Sequence, residues 1–156
     1  MERVFVDSDI ILDLLAKWEP FYRYAAELFL AVEKGRIEVY VSPIIITNLH
    51  YILRKLKNKA QAIKNLQRLK LLVKIIPVDE KIVELALASD FNDFEDAIQY
   101  YTARENGIAH LLTRNKKDYK RADINVMTAE EYLEIFNSTG NWTQDASNAG
   151  GQGGSF

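Results

Sequence analysis

The stretch VFVDSDIILDLL, residues 4–15, passes from an apolar β-branched run through two aspartates into a leucine-rich segment. The run is typical of a buried β-strand, and the leucine-rich segment follows it as a helix would. Asp7 and Asp9 therefore lie where a strand is predicted to end and a helix to begin. An unpaired carboxylate at the buried mouth of a sheet is costly unless a cation or several donors meet it. The stretch therefore predicts a functional group at the end of the first strand.

The rest of the chain continues this alternation of strand and helix. Short β-branched runs predict strands at residues 3–7, 37–42, 73–78, 108–113 and 124–128. One apolar stripe at helical spacing runs from Phe21 to Val32 and ends at Gly35. Further helices are predicted at residues 43–55, 60–72, 80–88, 95–106 and 128–136. Strands separated by helices in this rhythm predict an α/β fold with a parallel sheet covered on both faces.

Composition limits the classes of function that the chain can have. Of its 156 residues, 48% are hydrophobic and 27% are charged, with a formal net charge of −2. The chain lacks the overall basicity of a nucleic-acid binder, so a site for a polyanion would have to be local. The absence of cysteine excludes disulfides, thiolate catalysis and cysteine-based zinc sites. The start, MERVFVD, has the features of neither a signal peptide nor a membrane span, so we expect a cytoplasmic protein.

The end of the sequence differs from the rest. Residues 137–156 contain five of the seven glycines and almost no aliphatic side chain. Such a segment cannot bury enough surface to offset the entropy lost on ordering it. We therefore expect one domain at residues 1–136, followed by a flexible tail rich in Gly, Ser and Asn.

The predicted topology selects candidate site residues. In parallel α/β sheets the functional crevice lies beyond the carboxyl ends of the strands. The residues there are Asp7 and Asp9 after the first strand, Ser42 and Asn48 after the second, and Thr113, Asn115 and Asp118 after the fourth. The acidic run DFNDFEDA, residues 90–97, precedes the fourth strand, and we expect its Asp96 to point inward. Several acids converging on one edge would repel one another unless a hard divalent ion such as Mg²⁺ or Mn²⁺ lay between them.

Basic residues cluster in two places despite the acidic net charge. Eight of the 20 Lys and Arg residues lie between Arg54 and Lys74, with no acid among them. Five more flank the predicted end of the fourth strand: Arg114, Lys116, Lys117, Lys120 and Arg121. Each cluster is either a solvated surface or a surface that contacts the phosphates of a nucleic acid. We expect the second, through Arg114, Lys116 and Lys117, to contact nucleic acid, because it lies beside the candidate acids.

Four blocks of the sequence resemble those of the PIN domain, the family that includes the toxin ribonucleases of VapC-type toxin–antitoxin pairs. They are VFVDSDIILDLL (4–15), VSPIIITNLHYILRK (41–55), DFEDAIQYYTA (93–103) and LLTRNKKDY (111–119). The closing INVMTAEEYLEIF (124–136) resembles the last strand and helix of the family. The resemblance implies a three-layer α/β/α sandwich with a central, mainly parallel sheet, whose clustered acids bind Mg²⁺ or Mn²⁺ and cleave RNA. It also implies a cognate antitoxin protein and a homodimer.

Carried over residue by residue, the resemblance implies that Asp7 is the first acid of the family and Asp96 the third. The fourth acidic region corresponds to TRNKKD, where Asn115 and Asp118 both fit and Asp118 is the favoured charged group. The metal ligands that the resemblance implies are therefore Asp7, Asp96 and Asp118.

The second block departs from the family, because Asn48 stands where Glu is usual. The amide offers a weaker, uncharged ligand, although Asp9, Asp93 or Glu95 could compensate for the missing charge. These three acids are otherwise explained as helix-start residues. The departure leaves open an alternative, a PIN-fold protein that binds RNA or a partner without cutting it.

A second alternative is a phosphatase of the haloacid dehalogenase type, because VFVDSDI also resembles the opening motif of those enzymes. Asp7 would then be a nucleophile and Asp9 a general acid. Against this alternative, the segment IILDLL continues directly into a helix and leaves no room for the flap usual in that family. The sequence has no GxSxG, Walker A or GxGxxG motif to support other chemistry.

Overall fold

A computed structural model describes residues 1–119 and 122–139. Its described residues form one sheet of five strands: β1 (Glu2–Val6), β2 (Ile37–Val41), β3 (Val73–Ile75), β4 (His110–Leu112) and β5 (Asn125–Met127). The strand order is β3-β2-β1-β4-β5, and every neighbouring pair is parallel. β1 is therefore central, and the chain adds two strands on one side of it before it crosses to the other side.

Helices connect the strands and cover the sheet. They are α1 (Ser8–Leu15), α2 (Tyr22–Glu33), α3 (Pro43–Leu56), α4 (Lys59–Lys70), α5 (Glu80–Leu87), α6 (Phe94–Glu105) and α7 (Ala129–Ser138), with a 3-10 helix at Lys116–Tyr119. Successive residues of a strand point to opposite faces, and Val4, Phe5 and Val6 are all fully buried. Both faces of the sheet are therefore covered, which makes the fold a three-layer α/β/α sandwich.

The predicted alternation of strands and helices is confirmed, with ends displaced by a few residues. The third strand stops at Ile75 rather than at residue 78, because Pro77 has no amide hydrogen for the ladder. Gly35, which is predicted to end a helix, lies just beyond α2 with a φ angle of 72°. Gly107 lies just beyond α6 in the same conformation, with a φ angle of 69°.

The predicted division into a domain and a tail remains a prediction. α7 ends at Ser138, slightly beyond the expected boundary at residue 136. From residue 140 onward the predicted tail lies outside the described residues. Across the part of the chain that is described, we find no helix with the length and apolar character needed to cross a membrane.

Candidate active site

The register of β1 and β4 brings the ends of two strands side by side. Val6 pairs with Leu112, and the amide of Asp7 donates a hydrogen bond of 2.9 Å to the carbonyl of Leu112. Thr113 follows β4 and is buried, and its hydroxyl lies 3.1 Å from Oδ2 of Asp7. The residues that follow these two strands therefore meet at the carboxyl edge of the sheet.

Asp7 both follows β1 and caps α1. Its Oδ1 accepts a hydrogen bond of 2.8 Å from the amide of Ser8. Burial is the main cause that raises the pKa of Asp7 to about 6, and the charge of Asp9 adds to it, while hydrogen bonds from Ser8, Thr113 and Tyr119 act in the opposite direction. The negative charge of Asp7 is therefore costly in this position unless a cation is near.

Asp96 lies in the first turn of α6. Its amide donates a hydrogen bond of 2.9 Å to the side chain of Asp93, the N-cap of that helix. Burial is the main cause that raises the pKa of Asp96 to about 7, and the charges of Asp93, Asp7 and Asp118 add to the increase. The fold thus brings Asp7 and Asp96, which lie far apart in the sequence, to one place.

The hydroxyl of Tyr119 lies between these two acids. It is 3.3 Å from Oδ2 of Asp7 and 3.2 Å from Oδ1 of Asp96. Tyr119 ends the 3-10 helix and is 2% exposed. Burial and the two carboxylates raise the pKa of Tyr119, so its hydroxyl is a proton donor. Tyr119 has no role in the site predicted from the sequence, where its place directly after Asp118 is the one available signal.

The acid pair suits a hard divalent cation. Mg²⁺ is commonly bound by one or two carboxylates and keeps several of its waters. An ion between Asp7 and Asp96 would favour their ionised forms, which burial and mutual repulsion disfavour. Within residues 1–119 and 122–139, no group of three His, Asp or Glu side chains is placed to hold one ion. Among the described residues, Asp7 and Asp96 are therefore the two carboxylates available to bind an ion at this place.

Asp9 holds the segment after β4 in place. Its Oδ1 accepts a hydrogen bond of 2.7 Å from the amide of Ile10, as a helix-start acid does. Its Oδ2 accepts from the amide of Arg114 at 2.9 Å and from the hydroxyl of Thr113 at 3.3 Å. Asp9 thus connects the start of α1 to the residues that follow β4.

Asn48 contacts an acid from another helix. It lies on α3, and its side-chain amide donates a hydrogen bond to Oε1 of Glu95, in the first turn of α6. Burial and the charge of Asp93 raise the pKa of Glu95, and the bond from Asn48 lowers it. Of the three acids considered as substitutes for the missing glutamate, Glu95 is the one with a described hydrogen bond to Asn48.

The side chain of Arg114 forms an ion pair with a buried carboxylate. Its Nε lies 2.9 Å from Oδ2 of Asp13 and a terminal nitrogen lies 3.0 Å from Oδ1, a bidentate pair with a residue of α1 that is 2% exposed. The guanidinium carbon also lies 4.1 Å from the ring centre of Phe21. The guanidinium of Arg114 is therefore directed at a buried carboxylate and anchors the segment after β4 to α1. Its contact with nucleic acid remains a prediction.

The lysines of this segment are exposed. The ammonium of Lys116 lies 2.8 Å from Glu131 in α7. Lys117 has no ion-pair partner within the described ranges, so its charge is available to a ligand. Lys120 and Arg121, the remaining members of the predicted basic cluster, lie outside the described residues.

Asn115 and Asp118, the two candidates for the fourth acidic position, are both exposed. The amide of Asn115 donates to the hydroxyl of Thr113 at 3.1 Å, and its carbonyl accepts from the amide of Asp118 at 3.1 Å. Asp118 is close enough to Asp96 to contribute to its raised pKa. The charge of Asp118 therefore acts on Asp96, and Asn115 shapes the turn that carries Asp118.

A family model described as the PIN domain matches residues 3–117. The chain belongs to the PIN domain family. This PIN domain is 29% identical over 142 residues to Ribonuclease VapC1 of Aquifex aeolicus (strain VF5). The aligned region covers 88% of this chain and 97% of that protein. The family proposed from the four sequence blocks is therefore confirmed.

Solved structures share the fold of this PIN domain. A toxin–antitoxin complex from Klebsiella pneumoniae matches with a TM-score of 0.63 and 22% identity, over 81% of this chain and 97% of that chain. FitAcB from Neisseria gonorrhoeae matches with a TM-score of 0.64 and 17% identity, over 81% of this chain and 98% of that chain. The α/β/α architecture is confirmed, and the haloacid dehalogenase alternative is wrong, because the family is the PIN domain and α1 begins at Ser8, directly after Asp7.

Proposed function

We propose that this PIN domain is an endoribonuclease that uses Mg²⁺ or Mn²⁺, and that it is the toxin of a toxin–antitoxin pair. The observation that carries the proposal is the meeting of Asp7 and Asp96 around one buried hydroxyl at the carboxyl edge of the sheet. Similarity to Ribonuclease VapC1 over nearly the whole length of that protein supports RNA as the substrate.

We assign Asp7 and Asp96 as the principal metal ligands. Asp118 is a third acid, placed to act from the exposed side of the pair. Asn115 and Asn48 are neutral residues at the margin of the site. A divalent ion held by these oxygens supplies an activated water and neutralises charge that develops on the phosphodiester.

The surrounding residues fix the positions of the ligands. Thr113 donates to Asp7, and its oxygen accepts from the amide of Asn115, so one buried hydroxyl connects β1 to the segment after β4. Lys116 and Lys117 lie on the same segment, where they can pair with RNA phosphates without reading the base sequence. We therefore propose that these two lysines orient the RNA backbone over the acid pair.

The contact between Asn48 and Glu95 bears on the alternative that this PIN domain binds RNA without cutting it. That alternative depends on the loss of charge at Asn48. The carboxylate of Glu95 accepts a hydrogen bond from the Asn48 side chain, so a negative charge is present next to that position. We therefore favour cleavage over binding alone, with Glu95 in place of the missing acid.

The proposed protein partners rest on the structures that share this fold. The Klebsiella pneumoniae structure is a toxin–antitoxin complex. We propose that this PIN domain likewise binds a cognate antitoxin protein, that it forms a homodimer, and that it acts on RNA in the cytoplasm.

The test is RNA cleavage with purified protein in Mg²⁺, in Mn²⁺ and in EDTA. We expect cleavage with either metal, none in EDTA, and at least a hundredfold slower cleavage by Asp96→Asn, since about that much or more is lost when a charge-stabilising group is removed. Glu134→Gln, which removes an exposed acid of α7, is the matched control. Intact RNA in all metals, with salt-sensitive binding, would support the binder instead.

A further inference from the structure

Tyr119 places a single proton between two carboxylates. The hydroxyl is within hydrogen-bonding distance of Oδ2 of Asp7 and of Oδ1 of Asp96. A phenol has one proton, so it donates to one of these oxygens at a time. An ion bound by both of these oxygens would therefore compete with the hydroxyl for them.

The ring of Tyr119 is held firmly. It is buried, and it makes an edge-on contact with Phe91 at 6.2 Å between ring centres. The chain before it is fastened to α1 through the ion pair of Arg114 with Asp13. The hydroxyl is therefore a fixed part of the site rather than a loose surface group.

We propose that the Tyr119 hydroxyl lies between Asp7 and Asp96 in the metal-free protein and gives up its hydrogen bond to these acids when they bind a divalent ion. Tyr119 is thus a positioning residue that lowers the affinity for metal. The inference rests on the proposed function, because it requires a metal bound by these two acids.

The physical reason is competition for the same oxygens. In the metal-free protein the hydroxyl proton is the donor shared by both acids, and it offsets part of their repulsion. An ion supplies more positive charge to the same oxygens, so the hydrogen bonds lost on binding are subtracted from the affinity. A residue that only oriented ligands would have the opposite effect, because its removal would weaken metal binding.

The test is titration of Mn²⁺ and Mg²⁺ into Tyr119→Phe, followed by calorimetry and by thermal unfolding. We expect a Kd about fivefold lower than in the wild type, which corresponds to one net hydrogen bond lost on binding. We also expect the variant to be less stable in EDTA, with a larger metal-induced increase in Tm. The matched control is Tyr100→Phe, which removes a tyrosine hydroxyl bonded to Asp123 from a ring that also contacts Phe91. Its Kd should equal that of the wild type.

Each outcome distinguishes the inference from the proposed function. An unchanged or higher Kd in Tyr119→Phe overturns the inference and leaves the metal site standing. A wild type whose metal-induced stabilisation is not lost in Asp96→Asn overturns the metal site and the inference together. If Tyr119→Phe does not fold, tyrosine-ring NMR of the wild type decides: Mg²⁺ must shift the Tyr119 resonance and leave that of Tyr100 in place, and a stationary Tyr119 resonance overturns the inference.

Discussion

The side-chain amide of Asn48 donates a hydrogen bond to the carboxylate of Glu95, and this bond joins α3 to the first turn of α6. The resemblance of the second block to the PIN domain implies a glutamate at the position of Asn48. The contact brings an acid from the third block to the same position. A charge missing from one helix is therefore present on the neighbouring one.

This relationship makes Glu95 a testable part of the site. We predict that Glu95→Gln slows RNA cleavage by about tenfold, the lower range for residues that support a metal site. The double variant Asn48→Glu with Glu95→Gln keeps one carboxylate and one amide in contact and should recover most of the rate. Initial rates with one labelled RNA measure both, and Glu134→Gln serves as the control. Full activity of Glu95→Gln would show that the charge is not needed.

The stability of the metal-free protein should depend on pH in a defined direction. The pKa values of Asp7 and Asp96 are raised from 3.8 to about 6 and about 7. At a pH between 3.8 and the raised value of each group, the native state therefore holds a proton that the unfolded chain has released. The free energy of unfolding at these sites therefore falls as pH rises from about 4 to about 7 and stays low above that window.

In EDTA we expect a Tm at pH 5 that is higher than at pH 8, by about 5 °C for a domain of this size. Asp96→Asn removes one of the two titrating groups, so its Tm should change less across the same range. Metal should stabilise the wild type more at pH 8 than at pH 5. Equal pH dependence of the wild type and Asp96→Asn in EDTA would contradict this explanation.

The ion pair of Arg114 with Asp13 should matter for stability. We predict that Arg114→Ala costs about 3 kcal/mol of unfolding free energy, because it leaves a buried carboxylate without its partner. The double variant with Asp13→Asn should be more stable than Arg114→Ala alone. Urea unfolding with a fixed m-value is the measurement, and a loss below 1 kcal/mol, roughly the range of exposed pairs, would contradict the prediction.

Lys117 should contribute to RNA affinity. We predict that Lys117→Ala weakens RNA binding to the metal-free protein about equally for all sequences and reduces the slope of log K against log salt by about 1. Lys64→Ala, on the other basic surface in α4, is the comparison. If Lys64→Ala lowers the slope and Lys117→Ala does not, the RNA lies on α4 rather than beside the acids.

The fold could be predicted from the sequence because its signals are local. The change from VFV to a leucine-rich segment marks the end of β1 and the start of α1 within a few residues. Asp7 could be selected because strand topology alone brings the residues after parallel strands to one edge. Asp96, in the first turn of α6, could be selected from the acidic run before β4 and from the resemblance to the PIN domain. Neither inference needed the position of a distant side chain.

The contacts that complete the site could not be predicted in this way. Tyr119 touches Asp7, and Arg114 touches Asp13, across sequence separations of 112 and 101 residues. Composition and periodicity do not specify which side chains meet over such distances. For the same reason the bidentate contact of Arg114 with Asp13 could not be predicted from the basic cluster in which Arg114 lies.

The placement of the site residues along the chain has a consequence during translation. Asp7 leaves the ribosome among the first residues, whereas Thr113, Arg114 and Tyr119 follow only after β4 has been synthesised. The two acids cannot meet around the Tyr119 hydroxyl until that segment has emerged and docked against α1. Under the proposed assignment of Asp7 and Asp96 as metal ligands, we therefore expect a nascent chain to leave the messenger that encodes it intact until most of the domain has been made.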